Sequence, residues 1–293
     1  MSYFFYLFLF ILGLGVGSFL NVVSLRFKPE NQVFDPKKIG GRSACPYCQK
    51  ILGWYELIPI VSFLVQAGKC RSCGHRLSWQ YPVVELLSGL IFVTVPLFLS
   101  SNYQLLITNY SRIWFSLIWI SVLLILLLIS LIDLRHFFIP DELTWLLVVL
   151  GFAFIVFKSQ TQSFTGLFNQ SFLRHYALLL TWSDNIWLNH LFAAAIAIVF
   201  FGLLFFLGKG EILGGGDVKL AFALGLILGW PDIAIALFFA FLLGGLFGLI
   251  LLISRKKTMK DYLPLAPFLV VGVTLTVFLG YQIINGYFLL IGF

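Results

Sequence analysis

LLLISLIDLRHFFIPDELTWLL, which is Leu126–Leu147, joins the end of one long apolar run to the start of the next. The whole chain of 293 residues is 60% hydrophobic and only 11% charged. Helices of about 17–25 apolar residues suffice to cross a bilayer, and soluble core helices do not need runs of this length. The sequence therefore predicts an all-α polytopic membrane protein with about eight transmembrane helices.

Eight apolar segments are candidates for membrane crossing, and the fourth and sixth of them are short. The predicted crossings are Tyr3–Leu25, Pro82–Leu99, Ile113–Ile132, Leu143–Phe157, Leu191–Leu207, Val218–Trp230, Ile233–Ile253 and Leu263–Ile284.

Positive residues are concentrated in alternate connections between these segments. Sixteen of the nineteen Lys and Arg residues lie in Arg26–Tyr81, Asp133–Glu142, Gly208–Lys219 and Ser254–Tyr262. Because cytoplasmic connections carry the excess of Lys and Arg, we expect these four inside and both termini outside. Topology and attraction to anionic lipids then account for the net charge of +7, and no nucleic-acid partner is required.

All four cysteines lie in the first cytoplasmic connection, as CPYC and CRSC separated by 21 residues. They are Cys45, Cys48, Cys70 and Cys73. Two CxxC pairs at this spacing are typical of a structural zinc site, in which four thiolates close a tetrahedron. The alternative is two disulfides, which a reducing cytoplasm disfavours. His75 could compete as a ligand, but with four thiolates present a solvated surface histidine is the favoured interpretation. This connection is therefore predicted to form a small cytoplasmic zinc-binding loop domain.

The apolar segment Ile51–Val65 lies between the two cysteine pairs. A single membrane crossing there would place the pairs on opposite sides and prevent them from sharing one metal. Glu56 and Pro59 also interrupt the segment. We therefore expect it to lie on the membrane interface or to dip into it.

Two aspartates occupy the ends of predicted crossings at the same face. Asp133 ends the third crossing and Asp217 begins the sixth. Two carboxyl groups brought together can share one proton, so that one activates water while the other donates to a carbonyl, as in aspartic proteases. The structural alternatives are an ion pair of Asp133 with Arg135 or His136, and helix capping by Asp217.

Three glycines precede Asp217, namely Gly214, Gly215 and Gly216. We expect them to give the backbone unusual conformations and to let a peptide substrate approach closely. Asp141, which follows a proline at the start of the fourth crossing, is predicted to cap that helix. Asp232 lies in a connection and is expected to be solvated.

The chain resembles the bacterial type IV prepilin leader peptidases and N-methyltransferases, membrane aspartyl proteases of the GxGD class. The motifs that carry the resemblance are GSFLNVV (Gly17–Val23), RSACPYC (Arg42–Cys48), ELIPIVSFL (Glu56–Leu64), GKCRSCGHRLSWQYPVVE (Gly68–Glu85), IDLRHFFIPDELT (Ile132–Thr144) and GGGDVKL (Gly214–Leu220).

The resemblance implies cleavage of the basic leader from type IV prepilins and type II secretion pseudopilins at the cytoplasmic face. It implies methylation of the new amino terminus by S-adenosylmethionine, with Asp133 and Asp217 as the catalytic acids. The corresponding regions are a first helix (1–25), a zinc-binding, methyl-transfer-associated domain (26–81) and a peptidase domain (82–293). The separation of 84 positions between the two aspartates exceeds the family pattern, and the excess lies in the outer connection 158–190.

The methyl-transfer half has weaker sequence support, because no glycine-rich nucleotide-binding fingerprint is present. Glu56 and Glu85 are candidates for orienting the amine or the methyl donor, or alternatively for capping or pairing with arginine. Other readings of the whole chain are a proton-coupled transporter, which would pair acids at the midplane, a zinc-bearing assembly scaffold, and another GxGD protease. The oligomeric state is left open.

Overall fold

A computed structural model describes residues 3–30, 32–36, 40–102, 109–161, 171–173, 176–177, 180, 183, 185–209, 213–258 and 261–291 of the chain. Within these ranges the elements are helical, apart from two isolated β-bridges in the cysteine-bearing connection. The helices are α1 (Tyr3–Arg26), α2 (Val61–Val65), α3 (Gln80–Asn102), α4 (Asn109–His136), α5 (Asp141–Thr161), α6 (Ile186–Leu207), α7 (Gly215–Leu228), α8 (Asp232–Ile253) and α9 (Ala266–Ile291), with a 3-10 turn at Trp54–Glu56.

Seven of the described helices are long and apolar enough to cross a membrane, namely α1, α3, α4, α5, α6, α8 and α9. Each coincides with a predicted crossing to within a few residues, so the chain is a multi-pass membrane protein. The eighth predicted crossing corresponds to α7, which has only 14 residues.

Although α7 is short, residues near both of its ends contact the ends of neighbouring helices. At its start, Lys219 contacts Asp141 in the first turn of α5 at 2.8 Å. Near its end, the Leu226 carbonyl lies 2.8 Å from His190 Nδ1 in the first turns of α6. Since Lys158 in the last turn of α5 also reaches His190, α7 runs beside α5 from one end to the other. This is the path of a crossing helix.

The later part of α7 is buried: from Leu220 to Leu228 every residue except Phe222 is buried. A Cβ built on Gly225 would lie 2.5 Å from the Cα of Ala194 in α6, so the two backbones touch. Small residues allow this close approach between membrane helices. This part of the helix is therefore packed on all sides by protein.

The chain forms two compact units, Met1–Asn102 and Tyr103–Phe293. Within the first unit, α3 packs along α1. The two antiparallel helices are in close contact, since a Cβ on Gly17 would lie 2.7 Å from the Cα of Glu85. A Cβ on Gly13 would lie 2.8 Å from the Cα of Gly89.

The expectation of a solvated Asp232 is wrong. This side chain is 1% exposed and accepts hydrogen bonds from Ser171 Oγ at 2.6 Å and from the Phe172 N–H at 3.1 Å. It thereby anchors the described part of the outer connection 158–190 to the start of α8. Residues 162–170 and several of 174–184 lie outside the described ranges.

Candidate active site and metal centre

Asp133 lies in the last turn of α4 and is 5% exposed. Its Oδ2 accepts a hydrogen bond of 3.0 Å from the backbone N–H of Ala266, the first residue of α9. The next residue, Pro267, has no N–H, so Ala266 offers one of the few free donors at this helix start. The carboxylate thus lies at the positive end of α9.

Asp217 occupies the third position of α7, whose N-cap is Gly214. Its Oδ2 accepts a hydrogen bond of 3.1 Å from the backbone N–H of Gly214. This is the reciprocal half of a capping box, and the start of α7 favours a negative charge there. Asp217 is therefore not the N-cap residue itself, but this bond to the N-cap backbone fixes its carboxyl group at the helix start.

The structure brings these two acids to the same end of the second unit. The two carboxyl groups lie close enough to interact electrostatically. Gly216 meets Ile139 in the connection between α4 and α5, where a Cβ on the glycine would lie 3.0 Å from Ile139 Cβ. That contact holds the start of α7 against the connection that follows Asp133.

The glycines do not have the unusual backbone expected of them. Gly214 is extended, with φ −77° and ψ 150°, and Gly215 and Gly216 are helical. The glycine at 216 is explained by the close contact with Ile139. Gly215 faces open space, and both it and Gly214 are exposed. The exposed pair leaves room beside Asp217.

A third acid at this end, Asp141, has a structural partner. Asp141 lies in the first turn of α5, as expected for an acid at a helix start, and Lys219 Nζ contacts both of its oxygens at 2.8 and 2.9 Å. Both side chains are more than half exposed, so the pair contributes little to stability.

Sequence reasoning did not find Lys219 or Ala266. Pro267 was the available signal for Ala266, because proline marks the first turn of a helix.

The four cysteine thiols of the first unit form one cluster. All four Sγ atoms lie within 4.8 Å of one another, with Cys45–Cys73 at 3.9 Å and Cys48–Cys70 at 4.0 Å. Tetrahedral zinc with Zn–S bonds of about 2.3 Å requires sulfur atoms roughly 3.8 Å apart, whereas a disulfide requires about 2.05 Å. The thiols are free, so the donor set fits zinc.

Each cysteine pair is built on a short reversal of the chain. The Cys45 N–H donates to the Lys50 carbonyl, and the Cys70 N–H donates to that of His75. The backbone N–H groups of Cys73 and Ser72 lower the pKa of the Cys70 thiol to about 6. Such donors favour the thiolate that binds metal. His75 itself packs against the Tyr47 ring and is outside the thiol cluster.

Glu56 and Glu85, the candidates for methyl transfer, are both buried and both bound to backbone. Glu56 Oε2 accepts from the Gly53 N–H at 2.9 Å, and Glu85 Oε2 accepts from the Ile60 N–H at 2.7 Å. The alternative of a capping role is therefore satisfied for Glu56.

Two family profiles match this chain. The bacterial peptidase A24 N-terminal domain matches residues 11–99, and the type IV leader peptidase family matches residues 120–249. A protein of Bacillus subtilis named "Prepilin leader peptidase/N-methyltransferase" is 30% identical over 95% of this chain and 96% of its own length. The chain belongs to the type IV leader peptidase family. Relatives with the same name occur in Pseudomonas aeruginosa (30% identity, 97% of this chain and 93% of the relative) and Myxococcus xanthus (32%, 86% and 65%).

The leader peptidase match contains both Asp133 and Asp217, and the N-terminal match contains all four cysteines. The resemblance inferred from the motifs is thus confirmed at the level of the family. No solved structure matches the chain.

Proposed function

We propose that this chain cleaves the basic leader from type IV prepilins and type II secretion pseudopilins, and then methylates the new amino terminus with S-adenosylmethionine. The observation that carries the proposal is the pairing of Asp133 and Asp217 at one end of the leader peptidase region. The family membership and the names of its relatives support the same reaction.

The two carboxyl groups catalyse hydrolysis as a pair, in which one is ionised and the other is protonated. The carboxylate removes a proton from water as the water oxygen bonds to the scissile carbonyl carbon, and the acid donates its proton to the carbonyl oxygen. The tetrahedral species then collapses, the C–N bond breaks, and the leaving amine takes up a proton. No covalent enzyme intermediate is needed.

The exposed pair Gly214 and Gly215 provides the side from which the peptide approaches, and Gly216 holds the start of α7 in place. The distribution of Lys and Arg puts this end of the second unit at the cytoplasmic face of a bacterial inner membrane, with both termini outside. The basic leader of the substrate then lies in the cytoplasm, while its apolar segment stays in the bilayer.

The zinc-binding connection 26–81 serves methyl transfer in this proposal. Cys45, Cys48, Cys70 and Cys73 hold a structural zinc ion with no position left for catalysis. S-adenosylmethionine is a co-substrate: the neutral amine attacks its methyl carbon, the C–S bond breaks, and a proton leaves the nitrogen. Glu56 and Glu85 are assigned to this half as orienting acids.

Mass spectrometry of a prepilin peptide tests both activities. The purified full chain in liposomes is incubated with the peptide, with and without S-adenosylmethionine. We expect cleavage in both samples and a gain of one methyl group only in the sample with the methyl donor.

An Asp217→Asn chain and an authentic family enzyme serve as controls. If the authentic enzyme cleaves the peptide and this chain leaves it intact, the proposed substrate is wrong. If Asp217→Asn cleaves at the wild-type rate, the proposed site is wrong.

A further inference from the structure

The connection between the cysteine pairs presents an exposed apolar surface that the proposed chemistry does not use. In α2, Val61, Leu64 and Val65 lie on one helix face, and Leu64 and Val65 are 65% and 68% exposed. Trp54, just upstream, is 77% exposed. We call this set the apolar ridge, and it consists of Trp54, Leu57, Ile58, Val61, Leu64 and Val65.

The opposite face of α2 is anchored to its own unit. Phe63 is buried, and its ring packs against Trp79 just before α3, with ring centroids 5.1 Å apart. The apolar ridge is therefore held in a fixed orientation and faces away from Phe63.

The depth of the ridge follows from contacts with α1 and α3. Asn21 in α1 contacts the Tyr81 carbonyl in α3 at 3.1 Å, which marks the end of the helix pair. Glu85 lies about one turn, or roughly 5 Å, further along α3, where its Cα faces Gly17 of α1. Its carboxylate accepts the Ile60 N–H at the start of α2. The backbone of Ile60 thus lies deeper along the α1–α3 pair than the contact that marks its end. Both of these helices are long and apolar enough to cross a membrane.

The local backbone suits such a position, because non-helical backbone at membrane depth must have its polar groups satisfied. Ile60 has a positive φ of 58°, and Glu85 accepts its N–H. Beyond it, the N–H groups of Ser62, Leu64 and Gln66 bond to carbonyls within the segment.

The charges beside the apolar ridge are positive. From residue 40 to residue 79 the only acid is Glu56, which is buried, whereas Lys69, Arg71 and Arg76 are exposed. The Arg71 guanidinium lies 5.2 Å from the centre of the Tyr55 ring, next to Trp54. Exposed cations at an apolar edge complement anionic headgroups.

We propose that the apolar ridge inserts into the leaflet at which α1 ends and α3 begins, with Lys69 and Arg71 on the headgroups of anionic phospholipids. The occupant of the exposed face is the lipid monolayer. Glu85 is then a positioning residue that ties the inserted turn to α3. The inference does not depend on the proposed reaction.

Site-directed spin labelling tests the insertion. A nitroxide is attached through p-acetylphenylalanine at position 64 of the full chain, in vesicles of phosphatidylethanolamine and phosphatidylglycerol. Matched labels replace Val83, an exposed apolar residue of α3, and Lys50, an exposed residue of the first cysteine pair. A label at position 65 repeats the measurement should the first variant fail to fold. Accessibility to oxygen is compared with accessibility to a water-soluble nickel complex.

We expect the oxygen-to-nickel ratio at position 64 to exceed that at position 50 several-fold. The depth at position 64 should match that at position 83 to within about one helical turn, roughly 5 Å. A ratio equal to that at position 50 would place the ridge in water and overturn the proposal. Low accessibility to both reagents would show that protein covers the ridge, and would overturn the lipid assignment.

Two further sets of variants test separately the anchoring by Glu85 and the contact with headgroups. Glu85→Leu leaves the Ile60 N–H without its acceptor and should move the label at position 64 outward, whereas Glu85→Gln retains an acceptor and should not. Replacing Lys69 and Arg71 by glutamine should reduce the label depth in anionic vesicles and have no effect in phosphatidylcholine vesicles. An unchanged depth in both lipids would refute the headgroup contact.

Discussion

The carboxylate of Asp133 accepts the backbone N–H of Ala266 at 3.0 Å, which joins the last turn of α4 to the first turn of α9. The end of its own helix disfavours a negative charge at Asp133, and the start of α9 favours one. Asp217 has the equivalent arrangement at the start of α7. Two helix starts therefore converge on the two acids, and each supplies one backbone N–H to a carboxylate oxygen.

This convergence predicts that Asp133→Asn and Asp217→Asn each lower the rate of prepilin cleavage by about 10²–10⁴-fold, because each removes one partner of the proton exchange. Asparagine keeps an oxygen that can accept the Ala266 or Gly214 N–H, so the fold should be retained. Peptide cleavage followed by mass spectrometry gives the rate. Asp141→Asn is the matched control at the same end and should cleave nearly normally. If the control lost as much activity as the two variants, the loss could not be assigned to the dyad.

The glycines preceding Asp217 predict two different defects. Gly216→Ala brings a methyl group against Ile139 and should lower the free energy of unfolding by about 1–3 kcal/mol through overpacking. Gly215→Ala points into open space and should leave thermal unfolding unchanged, while raising KM for the peptide if substrate occupies that space. Thermal unfolding in detergent and cleavage kinetics separate the two. An unchanged KM for Gly215→Ala would remove this residue from the substrate path.

Most of the membrane-capable helices could be predicted from local sequence, because hydrophobic length is a local quantity. The helix α4, for example, contains the whole of the predicted crossing Ile113–Ile132. The cysteine cluster was likewise predictable, since its two CxxC pairs are short motifs with one preferred metal geometry.

Partners that are distant in sequence could not be predicted in this way. Ala266 is 133 residues from Asp133, and Ser171 is 61 residues from Asp232. Neither pairing leaves a local sequence pattern. In the case of Asp133, a backbone N–H is available at almost any helix start, so Ala266 does not stand out. The burial of Asp232 also depends on where the outer connection folds back, which hydropathy does not report.

The thiol cluster predicts that Cys70→Ser removes bound zinc, from about one ion per chain to nearly none, because four thiolates close the site. If the zinc holds the connection 26–81 in shape for methyl transfer, methylation should fall more than cleavage. Elemental analysis gives the zinc content, and the peptide assay gives the two activities. Ser72→Ala in the same CRSC motif is the matched control and should retain zinc. Equal loss of both activities in Cys70→Ser would contradict the division of labour between the two units.

The buried Asp232 predicts a stability defect at the other end of α7 from the proposed active site. Asp232→Ala removes the acceptor of the Ser171 hydroxyl and of the Phe172 N–H. A buried donor left without its acceptor typically costs about 1–3 kcal/mol, and Asp232→Asn should cost less because it keeps one acceptor oxygen.

Thermal unfolding of the full chain in detergent measures the effect of these variants. Asp261→Ala is the control, since Asp261 is an exposed acid that accepts hydrogen bonds from Thr258, three residues away. We expect the order of stability to be wild type, then Asp261→Ala close to it, then Asp232→Asn, then Asp232→Ala. The fraction of Asp232→Ala that remains folded should cleave prepilin at the normal rate, because Asp133 and Asp217 lie at the opposite end of α7. A normal unfolding temperature for Asp232→Ala would show that the outer connection is held by other contacts.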